Sequence, residues 1–191
     1  MDINQIPSED PAEQAGKNRL PIPVFILAGI LLAAFLGFLY MGLQRSQQGP
    51  VQVGDPIPPI SLTTFDGQVI DTTAQKGNVI LLNFWASWCK PCESESAALQ
   101  SAWEYYQPGG QVLFVGIDYV DTAPEALASL KKYGITFPNG PDLGTKISQM
   151  FRIRGVPETY IIDRNGNLAY IQIGPFSSSE EIQSIIDPLL Q

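Results

Sequence analysis

"NFWASWCKPCESE", residues 83–95, carries both cysteines of a 191-residue chain, Cys89 and Cys92, separated by only two residues. A protein zinc site takes about four ligands, drawn mostly from Cys and His. This chain has two Cys and no His, so such a site could be completed only with several carboxylates. The absence of His also excludes Ser-His and Cys-His hydrolase mechanisms, and it removes the His ligand that copper delivery through a Cys pair would use. A structural staple or a dithiol/disulfide redox couple remains. A bridge closing so short a loop removes little entropy from the unfolded chain, so the redox reading is the stronger one. The formal net charge of −8 argues against nucleic acid as a partner.

Residues 20–44 carry no charge, and "PIPVFILAGILLAAFLGFLYMGL", Pro21–Leu43, is almost wholly apolar. At about 1.5 Å per residue this stretch is long enough to cross a hydrocarbon core of roughly 30 Å. A cleaved signal peptide would have a shorter apolar core nearer the terminus and a small-x-small cleavage site. Here a polar segment of twenty residues comes first and "FLYMGLQ" offers no such site. The stretch therefore reads as a transmembrane anchor. Lys17 and Arg19 precede it and only Arg45 follows closely, which predicts a cytoplasmic N-terminus. Residues 1–20 read as a disordered tail, residues 44–50 as a linker, and residues 51–191 as a single domain on the periplasmic, lumenal or extracytoplasmic side of a cell or thylakoid membrane. Disulfide chemistry is at home there.

Within that domain "NVILLNFW", residues 78–85, is a continuous apolar run typical of a strand buried on both faces. A helix pattern follows the cysteines, with Leu99, Trp103 and Tyr106 on one face and "PGG" at 108–110 as its stop. "QVLFVGID", residues 111–118, predicts a second buried strand, with Asp118 and Asp121 as turn formers at its end. Residues 123–134 and 143–152 read as helices, and "TYIID" and "LAYIQI" as a hairpin around Asn165-Gly166. A Ser-x-x-Glu cap at Ser177 or Ser178 opens a last helix bearing Ile182, Ile185, Ile186 and Leu189. The order β-α-β-α-α-β-β-α predicts an α/β fold, a central mixed sheet with helices on both sides. "VGDPIPPISLTTFDGQVI" adds a turn-rich strand pair in front.

"NFWASWCKPC" after a buried strand, with "GVPETYIIDRNGN" some sixty residues later, resembles the thioredoxin superfamily, and more narrowly its membrane-anchored TlpA/ResA/CcmG-like thiol:disulfide oxidoreductases. "GDPIPPISLTTFDGQVI" resembles that group's entry hairpin, and the likeness covers nearly all of residues 51–191. Asn83 stands where thioredoxins carry a buried Asp, and Glu95 matches the Glu typical of the group. The Pro often found soon after that Glu is absent. Lys90-Pro91 replaces the Gly-Pro of ordinary thioredoxin.

The resemblance implies a thioredoxin-like three-layer fold and a redox-active Cys89–Cys92 disulfide, with no metal and no other cofactor. Cys89 would be the nucleophile at the mouth of the helix, favoured as thiolate by the helix N-terminus and by Lys90. Pro91 is compatible with a first helical turn, and Cys92 would resolve the mixed disulfide. Glu95 would transfer protons and tune the thiols; a solvated first-turn carboxylate, as Glu93 is read to be, is the alternative. Trp85 reads as core and Trp88 as shield or docking surface. Pro157 would be a cis-proline presenting Val156 to an extended peptide. Glu158 either lines that groove or is a plain surface carboxylate. By likeness the partners are exported Cys-containing proteins, apocytochrome c first among them, with a membrane thiol reductase of the CcdA/DsbD type as electron donor. A peroxiredoxin-like antioxidant enzyme, for which "SWCKPC" lacks the Pro/Thr-rich loop, and a non-catalytic thioredoxin-fold binding module are the alternatives.

Overall fold

The computed structural model describes residues 22–46 and 51–191. A helix and a compact domain form two separate units. The helix, α1 (Ile22–Ser46), is apolar all round; Ile22–Met41 has a mean hydropathy of 2.7 and none of it is buried in protein. It continues past Leu43, so Gln44–Ser46, expected to open the linker, are helical instead. The physical reason is that apolarity ends at Leu43 while helix propensity does not: Gln and Arg are good helix formers. The expectations for residues 1–21, including the charge bias at Lys17 and Arg19, and for residues 47–50 lie outside the described residues.

The domain opens with an antiparallel hairpin, β1 (Ser61–Thr63) and β2 (Val69–Asp71). Its main sheet contains β3 (Val79–Trp85), β4 (Val112–Asp118), β5 (Asn139–Pro141), β6 (Glu158–Ile162) and β7 (Leu168–Ile173), in the order β5-β4-β3-β6-β7. β3 pairs parallel with β4 and antiparallel with β6, so the sheet is mixed as expected. Its central strand β3 is buried at every position.

Four helices surround this sheet: α2 (Lys90–Tyr106), α3 (Ala123–Tyr133), α4 (Lys146–Phe151) and α5 (Ser179–Ile186). One face packs Leu99, Ala102 and Trp103 of α2 and Ile182 and Ile186 of α5 against Leu81, Phe114 and Ile161. The other packs Ile147 and Phe151 of α4 and Ile60, Leu62 and Ile70 of the hairpin region against Leu82, Phe84 and Tyr160. Alternate residues of β3 therefore serve opposite cores, which is why its sequence is apolar without a break.

Capping and turn signals account for most boundaries. Ser178 caps α5 by accepting from the Glu181 N–H, and Thr122 caps α3 through Glu125 N–H. The β6–β7 hairpin turns at Asp163–Gly166, with Gly166 at φ 88°, a conformation that favours glycine. β5 left no pattern in the sequence, since "NGP" reads as a loop. It is a strand because it pairs parallel with the end of β4, and Gly140 lets the entry hairpin approach it: a Cβ there would lie 2.5 Å from the Thr63 carbonyl oxygen. The last helix turns to a 3-10 segment, Asp187–Leu190, after Ile186. Tyr106 ties it to α2 by donating to Asp187 Oδ1 at 2.6 Å. Tyr106→Phe should cost about 1–2 kcal/mol, read as a lower urea midpoint at unchanged slope.

Candidate active site

β3 ends at Trp85, and a tight turn delivers the chain into α2, with Cys89 N–H donating to Ala86 O at 3.2 Å. Cys89 is the N-cap of α2, and its Sγ accepts the Cys92 N–H at 3.2 Å. Pro91 lies in the first turn, where no intrahelical N–H is lost. Three-residue helical spacing puts the two Cα atoms 5.3 Å apart, and the cysteines are joined as a disulfide. Both are 5% exposed, so the bridge meets solvent only at its edge.

Beneath it lies a polar group inside an apolar core. Glu95, three residues beyond Cys92, is fully buried. Its Oε1 accepts from Asn83 Nδ2 at 2.9 Å and its Oε2 from the Phe176 N–H at 3.1 Å. Asn83 also donates to Thr159 Oγ1 at 2.9 Å, its antiparallel register partner on β6. Burial outweighs these hydrogen bonds and pushes the Glu95 carboxyl up to about 7. Glu95 is thus a buried carboxyl with a raised pKa rather than a solvated first-turn carboxylate. A cavity of about 30 Å³, room for one or two waters, is lined by Cys89, Cys92, Glu95 and Asn83 and by Trp85 and Asn139. Both cysteines and Glu95 thus border one partly open pocket.

The remaining expected residues divide. Trp85 is core, 8% exposed. Trp88 is 57% exposed and donates from Nε1 to Val120 O at 3.0 Å. Val156 packs against the cluster containing both cysteines, and the Val156–Pro157 bond is cis. Lys90 has a partner the sequence did not suggest. Its side chain is exposed and its ammonium lies 2.7 Å from Glu93 Oε2, so its nearest charge partner is that carboxylate on its own helix. Glu93 also binds Lys132 at 3.0 Å and hydrogen-bonds the Tyr133 hydroxyl; Lys90 and then Lys132 hold its carboxyl below the usual range. It joins α2 to α3 rather than simply facing solvent.

Glu158 is neither groove lining nor a surface carboxylate. It is 2% exposed and shares the sheet face of its register partner Phe84, opposite to Thr159 and Glu95. Its Oε1 accepts the Arg154 and Gly155 N–H groups at 2.6 and 3.2 Å, and its Oε2 the Tyr160 hydroxyl at 2.8 Å. Strand alternation decides this: the residue after Pro157 points away from the disulfide and anchors the loop before it. Asp118 and Asp121 are likewise more than turn formers. Asp118 is 2% exposed, and burial followed by the Asp121 charge pushes its carboxyl up to about 7. Asp121 Oδ2 accepts the Ser87 N–H at 2.6 Å. The repeated Asp in "DYVD" was visible in the sequence, but its burial was not.

A buried disulfide at a helix entry, a carboxyl beneath it and a cis-proline beside it form a site suited to thiol–disulfide exchange, and known proteins agree. Residues 53–171 match the AhpC/TSA family. Thiol-disulfide oxidoreductase ResA of Bacillus cereus is 30% identical over 174 residues, 91% of this chain and 98% of the relative. Thioredoxin-like protein YneN of Bacillus subtilis is 32% identical over 83% of this chain and 95% of its own. Among solved structures, a thioredoxin-family thiol:disulfide interchange protein from Chlorobium tepidum superposes with a TM-score of 0.66 at 26% identity, covering 75% of this chain and all of that one. The chain belongs to the AhpC/TSA family of thioredoxin-like proteins and is a thiol-disulfide oxidoreductase of the ResA type.

Proposed function

We propose that the protein is a membrane-tethered reductant of disulfides in exported proteins, of the cytochrome c maturation kind. The observation that carries the tether is α1: twenty residues of mean hydropathy 2.7, none buried in protein, joined to a dithiol domain. Twenty residues at about 1.5 Å each match a hydrocarbon core. The bias of Lys17 and Arg19 over Arg45 supports a cytoplasmic N-terminus and an extracytoplasmic domain. In that compartment Cys-containing exported proteins, apocytochrome c among them, are the substrates, and a membrane thiol reductase of the CcdA/DsbD type supplies electrons.

In this reading Cys89 is the nucleophile because the α2 N-terminus and the Cys92 N–H stabilise its thiolate. Its attack forms a Cys89–substrate bond and expels the second substrate sulfur as thiolate. Cys92 then gives its proton to Glu95 and attacks Cys89 Sγ, releasing the first substrate sulfur. Two electrons pass from the dithiol to the substrate, and the disulfide itself is the only redox group required. Trp88 and the Val156–Pro157 backbone present the partner chain to Cys89. In bacterial spheroplasts producing the full chain, external protease should digest everything after residue 50 and spare the N-terminal segment. Protection of the domain would overturn both the orientation and the exported substrates.

A further inference from the structure

The turn that delivers Cys89 is gripped from outside. Its two central residues are Ser87 and Trp88, and both are held by the segment after β4. Tyr119 N–H donates to Trp85 O at 2.8 Å, extending the β3–β4 pairing to the base of the turn. The Ser87 N–H donates to Asp121 Oδ2 at 2.6 Å, and the Trp88 indole donates to Val120 O at 3.0 Å. Val120 adopts φ 49° to present that carbonyl. A β-branched residue in the left-handed region costs on the order of 1–3 kcal/mol and persists only where its surroundings demand it. Asp121 is in turn held from its own side: its Oδ1 accepts the Thr122 N–H at 2.7 Å, and the buried Asp118 carboxyl, pushed up by burial and then by the Asp121 charge, lies close to it. Asp118 Oδ1 has no hydrogen-bond partner.

We propose that Tyr119–Asp121 is a clamp on the active-site turn and that Asp121 is a positioning residue for the thiol-disulfide exchange. By fixing Ser87, backed by Asp118, it sets Cys89 at the N-cap of α2, where the sulfur faces the Cys92 N–H. The clamp serves the reduced form most, because the thiolate depends on that placement while the disulfide is held by its own bond. Loosening it raises the Cys89 pKa and makes the dithiol more reducing.

Asp121→Asn and Asp121→Ala both remove the carboxylate charge and differ in the acceptor for Ser87, so the difference between them reads the clamp alone. In the reduced full chain in detergent, the pH dependence of Cys89 alkylation by iodoacetamide should place the Ala variant roughly half a pH unit above the Asn variant. Equilibrium with a dithiol buffer should differ by about threefold, the Ala variant being the stronger reductant. A residue that only supports the fold would lower the melting temperature and leave these values together. Coincident titrations and equilibria for the two variants overturn the proposal. Should Asp121→Ala not fold, Trp88→Phe removes the indole N–H bond to Val120 and should shift the titration upward relative to wild type; no shift overturns the proposal equally.

Discussion

Cys89→Ser is expected to abolish reduction of a protein disulfide such as that of insulin, while Cys92→Ser arrests the reaction as a mixed disulfide on Cys89. The asymmetry follows from where α2 begins. Cys89 is the N-cap and receives the Cys92 N–H, whereas Cys92 lies inside the first turn. A thiolate at the cap is stabilised by the unpaired N–H groups of that turn, and the thiolate is the attacking species. Without Cys89 the remaining thiol, 5% exposed in the bridged domain, lacks that stabilisation and cannot complete a two-electron cycle alone. Without Cys92 the first attack proceeds and nothing resolves it. The check is a turnover assay of each variant in the full chain, with non-reducing gels for the adduct. A stable adduct with Cys89→Ser, or equal residual turnover in both, would reverse the assignment.

The second large effect is a pH dependence of stability centred on Glu95. Burial raises its pKa to about 7, against 4.5 in the open chain. Below about pH 4.5 the folded and unfolded states both hold the proton and the difference contributes nothing adverse. Between 4.5 and 7 the unfolded chain releases it and the folded protein does not, so unfolding becomes easier as pH rises. The loss is about 3 kcal/mol, complete above pH 7. Asp118, raised to about 7 by burial and by Asp121, adds a slope of the same sign. Glu95→Gln keeps the size and a carbonyl acceptor but cannot ionise, so it should remove the Glu95 share of the slope. Urea midpoints of wild type and variant should therefore diverge from pH 5 upward, with the variant the more stable at pH 8. Parallel curves across that range would show that the carboxyl does not titrate inside the fold.

Much of this architecture was legible in residue order because it rests on local chemistry. The unbroken apolar run of β3 reports burial on both faces, and Leu99, Trp103 and Tyr106 mark the buried face of α2 at helical spacing. Thr122, Ser178 and Gly166 mark a helix start, a second start and a turn through capping and φ alone. The dithiol was equally plain, since Cys-x-x-Cys at a strand-to-helix junction is a short-range pattern. The short strand β5 was hidden, because its three residues owe their conformation to β4 and to the hairpin crossing Gly140.

By itself the sequence determined the apolar span of α1, the alternation of strands and helices and the pair of thiols, all set by neighbours within a few residues. Only the tertiary structure decided which charges count. Asn83, Glu95, Phe176 and Thr159 meet from four separate stretches, and the burial of Glu95 there raises its pKa against the hydrogen bonds from Asn83 and Phe176, which lower it. Glu158, which from residue order could line the groove or sit on the surface, is turned by strand alternation to the opposite core. Lys90 pairs with a carboxylate on its own helix, whereas Asp121 reaches back to Ser87 in a turn thirty-four residues earlier. Burial and long-range hydrogen bonding set the energy of a charged group, and both depend on chain segments that residue order does not place side by side.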